Sequence, residues 1–202
     1  MNLHGVVVGA GSGQRFGGPK ATAVLRGRPL WEWARDALID GGAASVVLVG
    51  PMPGGMPGGE RRRDSVLLGL SALPAGTTHV VIHDVARPVA TASLTRAVVA
   101  RLAMGDVAGV VPVVAVRDTI KRVEGERVVA TVDRAGLAAV QTPQAFLLEA
   151  LLEAHHASDD DASDDASMIE RTGGRIVSIP GEPSNLKITY PEDLAVAEAL
   201  LR

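Results

Sequence analysis

The chain has 202 residues, 47% of them hydrophobic, a formal net charge of −3 and no cysteine. That length and apolar content suffice for one domain with a proper core. They exclude disulfides, thiolate metal sites and the broad basic footprint of a nucleic-acid binder, and no apolar run approaches the 18 residues of a membrane span. Arginine outnumbers lysine 17 to 3, so an arginine serves wherever any surface cation will do. Lys20, Lys121 and Lys187 are therefore expected where a compact ammonium matters.

The first predicted element is a strand over residues 3–9, a short apolar run rich in valine. It breaks into Gly9-Ala10-Gly11-Ser12-Gly13-Gln14-Arg15-Phe16-Gly17-Gly18-Pro19-Lys20. Glycines let a backbone come close to a ligand and expose consecutive N–H groups, which form an anion-holding concavity. With one Arg and one Lys in the same loop, the expected guest is a polyphosphate.

Pro29 suits the first position of a helix whose apolar face is Leu30, Ala34, Ala37 and Leu38, ending at Gly41-Gly42. A second strand follows over Ser45–Gly50, then a Pro/Gly-rich loop over 51–59 and a helix over about 61–73. Thr78–His83 is a third strand. Thr91 is a candidate cap for a helix to about 104, and Val107–Val114 is a further buried strand. This alternation predicts an α/β fold: a Rossmann-like, mostly parallel sheet with helices on both faces, with ligands beyond the carboxyl ends of the strands.

Residues 115–134 break the alternation. Residues 116–123 and 127–132 flank Glu124-Gly125-Glu126, a hairpin signature. A lone two-stranded hairpin is marginal in water, so this arm should pack on something, such as a second subunit. Beyond it, Ser158–Ser167 is an acidic run with the character of a solvated helix N-terminus. A helix to Gly173-Gly174, a strand over Arg175–Ile179 and a terminal helix opened by Pro191 complete the chain, giving one domain over 1–202 with 115–134 as an arm.

Six segments carry charged or polar groups suited to chemistry: the glycine loop, Gly58–Val66, His83-Asp84-Val85-Ala86-Arg87-Pro88, Asp118–Lys121, Thr131–Arg134 with Gln141-Thr142-Pro143-Gln144, and Asn185-Leu186-Lys187. In this order and spacing they resemble the 2-C-methyl-D-erythritol 4-phosphate cytidylyltransferases of the non-mevalonate isoprenoid pathway, over essentially the whole chain. All three lysines fall inside these motifs. The pattern departs from the family at Gly9, at Ala21-Thr22, at Val85, at Ser163 and in a shortened 51–59 region.

The resemblance implies a nucleotidyltransferase that joins CTP and 2-C-methyl-D-erythritol 4-phosphate with release of pyrophosphate, using Mg²⁺. It assigns Arg15 and Lys20 to transition-state stabilisation at the CTP phosphates. Ala10, Gly11, Gly13, Gly59, Glu60, Ser65, Asp84 and Ala86 form the nucleotide site, with Asp84 the metal ligand. Arg87, Thr119, Arg134, Thr142 and Lys187 serve the second substrate, with Arg134 and Lys187 positioning its phosphate. It further implies a cytoplasmic homodimer formed through the arm, without nucleic-acid or membrane partners. A ribitol 5-phosphate cytidylyltransferase is the nearest alternative. A dinucleotide-dependent oxidoreductase is a remote one, because Gln14 stands where its third glycine belongs and Gly50 where its acid belongs. His83 is expected to be a packed strand residue and not a catalyst.

Overall fold

A computed structural model describes residues 1–157, 162 and 164–201. The elements run β1 (Leu3–Val8), a 3₁₀ turn (Gln14–Phe16), β2 (Val24–Leu25), β3 (Arg28–Pro29), α1 (Leu30–Ile39), β4 (Val46–Val49), α2 (Arg62–Ser71), β5 (His79–Asp84), α3 (Ala92–Leu102) and β6 (Gly109–Ala115). They continue as β7 (Ile120–Glu124), β8 (Arg127–Val132), β9 (Ala138–Val140), β10 (Gln144–Leu147), α4 (Leu148–Ala157), α5 (Asp165–Arg171), β11 (Ile176–Pro180) and α6 (Asp193–Leu200).

The main sheet has the order β11-β6-β10-β5-β1-β4, with β9 added beside β6. β1 runs parallel to β4 and β5, and β11 parallel to β6, whereas β10 lies antiparallel to both β5 and β6. The expected mostly parallel sheet is present. Strands β9 and β10 have no counterpart in the periodicity, because each is under five residues and borders the Gln141–Gln144 motif.

Alternation along the strands feeds two cores. Val7 and Val81 point to the face covered by α1 and α3, where Leu30, Ala34, Leu38 and Val98 are buried. Val6, Val8, Val80 and Ile82 point to the opposite face, with Val66, Leu70, Phe146, Leu151 and Ile169. The predicted apolar face of α1 is thus its buried face, with Pro29 as the extended residue before the helix rather than its first turn. Thr91 caps α3, its side chain accepting from the Leu94 N–H.

The arm is a separate two-stranded sheet of β7 and β8. Its turn is one residue tighter than expected, since Glu124 still pairs with Arg127 and Gly125 takes the left-handed conformation at φ 57°. The expectation for the acidic run at 158–161, like the Ser163 departure, lies outside the described residues. Asp164, beyond it, does cap α5, accepting from the Ser167 N–H at 3.1 Å.

Candidate active site

The register of β1 and β5 sets the site. Val8 stands opposite Asp84, so the glycine loop and the His83–Pro88 segment leave adjacent strand ends together. Val85 N–H donates to Val8 carbonyl at 3.0 Å, and Gly9 N–H donates to Val49 carbonyl at 2.8 Å. Three chain segments are thereby fixed around one opening.

The glycine loop divides into two halves. Its outer half closes on itself, with the N–H groups of Phe16, Gly17 and Gly18 all donating to the Gly13 carbonyl. This requires glycine at 13, because φ is +62° and a Cβ would lie 1.9 Å from the Gly18 carbonyl oxygen. In the inner half, among the described residues, the N–H groups of residues 10–13 enter no backbone hydrogen bond. They remain available to a ligand, which refines the expected anion cradle to this inner half.

The opposite wall is the start of α2. Gly59 N–H donates to Ser65 Oγ at 3.1 Å, and Asp64 accepts from the Arg61 N–H at 3.1 Å. Gly58 lets this wall press on the loop, since a Cβ there would lie 2.1 Å from Ala10 Cβ. The resulting cavity of about 510 Å³ is lined by Ala10, Gly11, Gly13, Arg15, Lys20, Gly59, Glu60, Arg62, Ser65, Asp84, Ala86 and Lys187, among others. Every nucleotide-site residue expected from the sequence therefore borders one cavity.

Asp84 lies on its wall, 8% exposed. Its Oδ1 accepts from Arg62 Nε and Nη2, each at 3.2 Å, and its Oδ2 accepts from Lys187 Nζ at 2.7 Å. Burial alone would raise the carboxyl pKa, but Arg62 and Lys187 outweigh it and hold the group well below the usual carboxylate range. Asp84 is thus ionised and engaged by side-chain cations, not by the N–H groups of the following turn.

Lys20 donates to the Ile188 carbonyl at 3.1 Å. Its pKa is lowered, chiefly by burial and then by repulsion from Lys187 and Arg15. Three cations that repel one another around a cleft make it receptive to a polyanion. Ile188 N–H in turn donates to the Ala86 carbonyl at 2.8 Å, which fixes the backbone next to Lys187.

Beyond Asp84 and Lys187 lies a second cavity, of about 400 Å³, also lined by Arg62, Arg87, Thr142 and Gln144. Arg62, Asp84 and Lys187 border both cavities. Arg87 and Thr142 reach this second cavity largely engaged. Arg87 donates to the carbonyls of Asn185 and Val140, and Thr142 Oγ1 lies 3.0 Å from the Asp84 N–H and 2.8 Å from His83 Nδ1. Thr142, the hydroxyl expected at the second substrate, thus lines this cavity and also holds the Asp84 backbone N–H. His83 is fully buried, and burial lowers its pKa to about 4. With Nε2 3.2 Å from the Arg87 carbonyl, a neutral Nε2–H tautomer satisfies both partners.

Thr119 and Arg134 are exposed on the arm and border neither cavity. Arg134 donates to the Arg117 carbonyl, within the arm itself. One chain therefore brings together the glycine loop, Arg15, Lys20, Asp84 and Lys187 but not Thr119 or Arg134. Sequence reasoning passed over Gln141 and Asn185 as site residues. Gln141 Nε2 donates to the Glu182 and Asn185 carbonyls, and Asn185 Nδ2 donates to the Thr142 carbonyl at 2.9 Å. Their place inside two quoted motifs was the available signal.

Comparison with known proteins gives a consistent result. The family model for 2-C-methyl-D-erythritol 4-phosphate cytidylyltransferase matches residues 3–202. The protein of that name from Streptomyces avermitilis is 40% identical over 226 residues, covering 97% of this chain and 90% of its own length. That from Saccharopolyspora erythraea is 39% identical over 225 residues, covering 100% of both chains. The crystal structure of the Thermus thermophilus enzyme superposes with a TM-score of 0.82 at 36% identity over 100% of both chains.

Proposed function

The chain belongs to the 2-C-methyl-D-erythritol 4-phosphate cytidylyltransferase family, and from that premise we propose how its two cavities divide the reaction. The enzyme is a nucleotidyltransferase of isoprenoid precursor synthesis, joining CTP and 2-C-methyl-D-erythritol 4-phosphate to give the cytidine diphosphate adduct and pyrophosphate. In our reading CTP occupies the cavity between the glycine loop and α2. The methylerythritol phosphate approaches from the second cavity. The observation that carries this division is the shared border of Arg62, Asp84 and Lys187.

A phosphate monoester oxygen is already anionic, so its attack on the α-phosphorus needs no general base. Positioning and charge stabilisation carry the catalysis. The N–H groups of residues 10–13 cradle the triphosphate, with Arg15 and Lys20 beside it. Charge grows on the phosphate oxygens as the pyrophosphate departs, and Lys20, partly desolvated, answers it at close range. Lys187 is half-exposed and bound to Asp84. It is suited to turn towards the incoming phosphate. Ser65 and Gly59 shape the end of the cavity that takes the cytosine.

A magnesium ion fits this arrangement. Among the described residues no cluster of three or more His, Cys, Asp or Glu could hold a metal alone. Mg²⁺, however, commonly takes one carboxylate and completes its shell with substrate phosphates and water. Asp84, ionised and on the cavity wall, is such a ligand. When bound there with CTP, the ion would neutralise charge on the triphosphate.

A homodimer completes the reading. Thr119 and Arg134 face solvent on an arm without a core of its own, and a two-fold dimer could bring them to the partner's second cavity. No helix among the described residues is long and apolar enough to cross a membrane, and a cytoplasmic location is part of the same reading. The test is pyrophosphate release with CTP, UTP, ATP and GTP, each crossed against methylerythritol 4-phosphate and ribitol 5-phosphate. Turnover is expected with CTP and the methylerythritol ester alone, because a wrong base leaves buried polar groups unpaired. Comparable turnover with ATP or GTP, or a preference for the ribitol ester, would overturn it.

A further inference from the structure

One buried carboxylate has no part in the chemistry above. Asp165, in the first turn of α5, is 1% exposed, and its sequence neighbour Asp164 already caps that helix. Asp165 instead turns inward, where its Oδ2 accepts from Arg62 Nη1 at 2.8 Å. The other donors of that guanidinium, Nε and Nη2, go to Asp84 Oδ1. Asp84 Oδ2 accepts from Lys187. Asp165, Arg62, Asp84 and Lys187 thus form a chain from the floor of the site to its rim, with side-chain exposures of 1%, 27%, 11% and 48%.

Two physical consequences follow from this chain. A guanidinium is a rigid planar fork, so gripping it along one edge fixes the edge offered to Asp84. Arg62 also divides its charge between two carboxylates. Removing one carboxylate would leave a full positive charge directed at Asp84. A buried ion pair is weak grounds for stability, because desolvation offsets its attraction. Stability alone is therefore a poor explanation for an acid placed here.

We propose that Asp165 is a positioning residue for Asp84, acting through Arg62. It holds the guanidinium so that Asp84 keeps Oδ1 on a fixed partner and presents Oδ2 to Lys187 and the nucleotide cavity. It also takes up enough of the Arg62 charge to leave Asp84 attractive to a cation. The proposal rests on the reading that Asp84 serves the CTP site.

The experiment compares wild type, Asp165→Asn, Arg62→Lys and the double variant. Asparagine keeps the shape of Asp165 and removes its charge. Lysine keeps the charge of Arg62 but loses the planar fork whose separate edges meet the two carboxylates. Mn²⁺ serves as the probe, its binding to the CTP-loaded protein followed by electron paramagnetic resonance without turnover, beside kcat and KM. Removing such an outer partner of a ligand typically costs about 10–100-fold in metal affinity or activity. Asp165→Asn should therefore weaken Mn²⁺ binding and lower kcat by about 10-fold, with KM for methylerythritol phosphate nearly unchanged. Where Arg62→Lys is already present, adding Asp165→Asn should change Mn²⁺ affinity little further. If Asp165→Asn lowers only the melting temperature, or if the two losses are additive, the proposal is overturned. If Asp165→Asn fails to fold, an unaltered Mn²⁺ affinity and kcat in Arg62→Lys would overturn it equally. Failure of the wild type to bind Mn²⁺ with CTP, or to release pyrophosphate, would instead remove the premise about Asp84.

Discussion

The pocket at the ends of β1 and β5 and the arm of β7 and β8 carry residues that our reading assigns to one reaction, under opposite physical conditions. In the pocket, His83 and Asn185 are fully buried and Gln144 is 1% exposed, and bonds such as Lys187–Asp84 join segments 103 residues apart. On the arm, Val123 is 53% exposed and Val128 56%, and Lys121 Nζ bonds to Thr131 Oγ1 across the hairpin. The pocket is preorganised by its own chain. The arm offers functional groups without a core to fix them and is expected to gain order from a partner.

Breaking the pocket should have the largest effect. Lys20→Ala is expected to lower kcat about 100-fold or more, as does loss of one preorganised charge-stabilising donor elsewhere. Lys20→Arg should also be impaired, since a broad guanidinium does not replace a compact ammonium bonded to the Ile188 carbonyl. Near-normal steady-state kcat in Lys20→Ala would remove its role at the transition state.

Acid should strike the pocket next. Burial lowers the pKa of His83 from 6.5 to about 4, so between those values the unfolded chain binds the extra proton. Stability due to this residue is therefore complete above pH 6.5 and declines as pH falls towards 4. At pH 5 the loss from His83 alone is about 2 kcal/mol. Buried His155, also lowered to about 4, adds to the loss in the same direction. Urea denaturation at pH 7.5 and 5.0 checks this, and His83→Asn should flatten the slope. An equal slope in that variant would contradict the assignment.

On the arm, Arg134→Ala should raise KM for methylerythritol phosphate by roughly 10-fold, in keeping with loss of one charge-assisted hydrogen bond. KM for CTP should stay close to wild type. An equal rise for both substrates would place the arm's action elsewhere. The smallest effect on folding belongs to Val128→Thr. Exposed as it is, this change should alter single-chain stability by less than about 0.5 kcal/mol. It should nevertheless weaken dimerisation in sedimentation velocity; unchanged self-association would remove β8 from the interface.

The comparison also explains what could be read in the sequence. The glycine loop, the β5 end, the apolar face of α1 and the Thr91 cap rest on local chemistry, and the structure keeps each. Strand β10 was not legible. Gln144-Ala145-Phe146-Leu147 has no local strand signal, and its antiparallel insertion between β5 and β6 is a tertiary choice. Asp165 was hidden for a different reason. In an acidic run a buried acid has the same letter as solvated ones, and its partner Arg62 lies 103 residues away. The contacts of Thr142 within the chain were not legible either, because they depend on His83 and Asp84 meeting its hydroxyl.

Subunit mixing tests most directly whether the site is shared between one chain's pocket and another's arm. Lys20→Ala and Arg134→Ala chains are unfolded together, refolded and assayed for pyrophosphate release at methylerythritol phosphate well below the wild-type KM, where each alone is expected to keep about a tenth of wild-type activity or less. A mixed dimer would pair the intact pocket of one chain with the intact arm of the other. Random pairing then restores about a quarter of wild-type sites. Recovery to about that level is the predicted result. No recovery, in a mixture shown by mass spectrometry to contain mixed dimers, or a chain that remains monomeric at micromolar concentration, would contradict it.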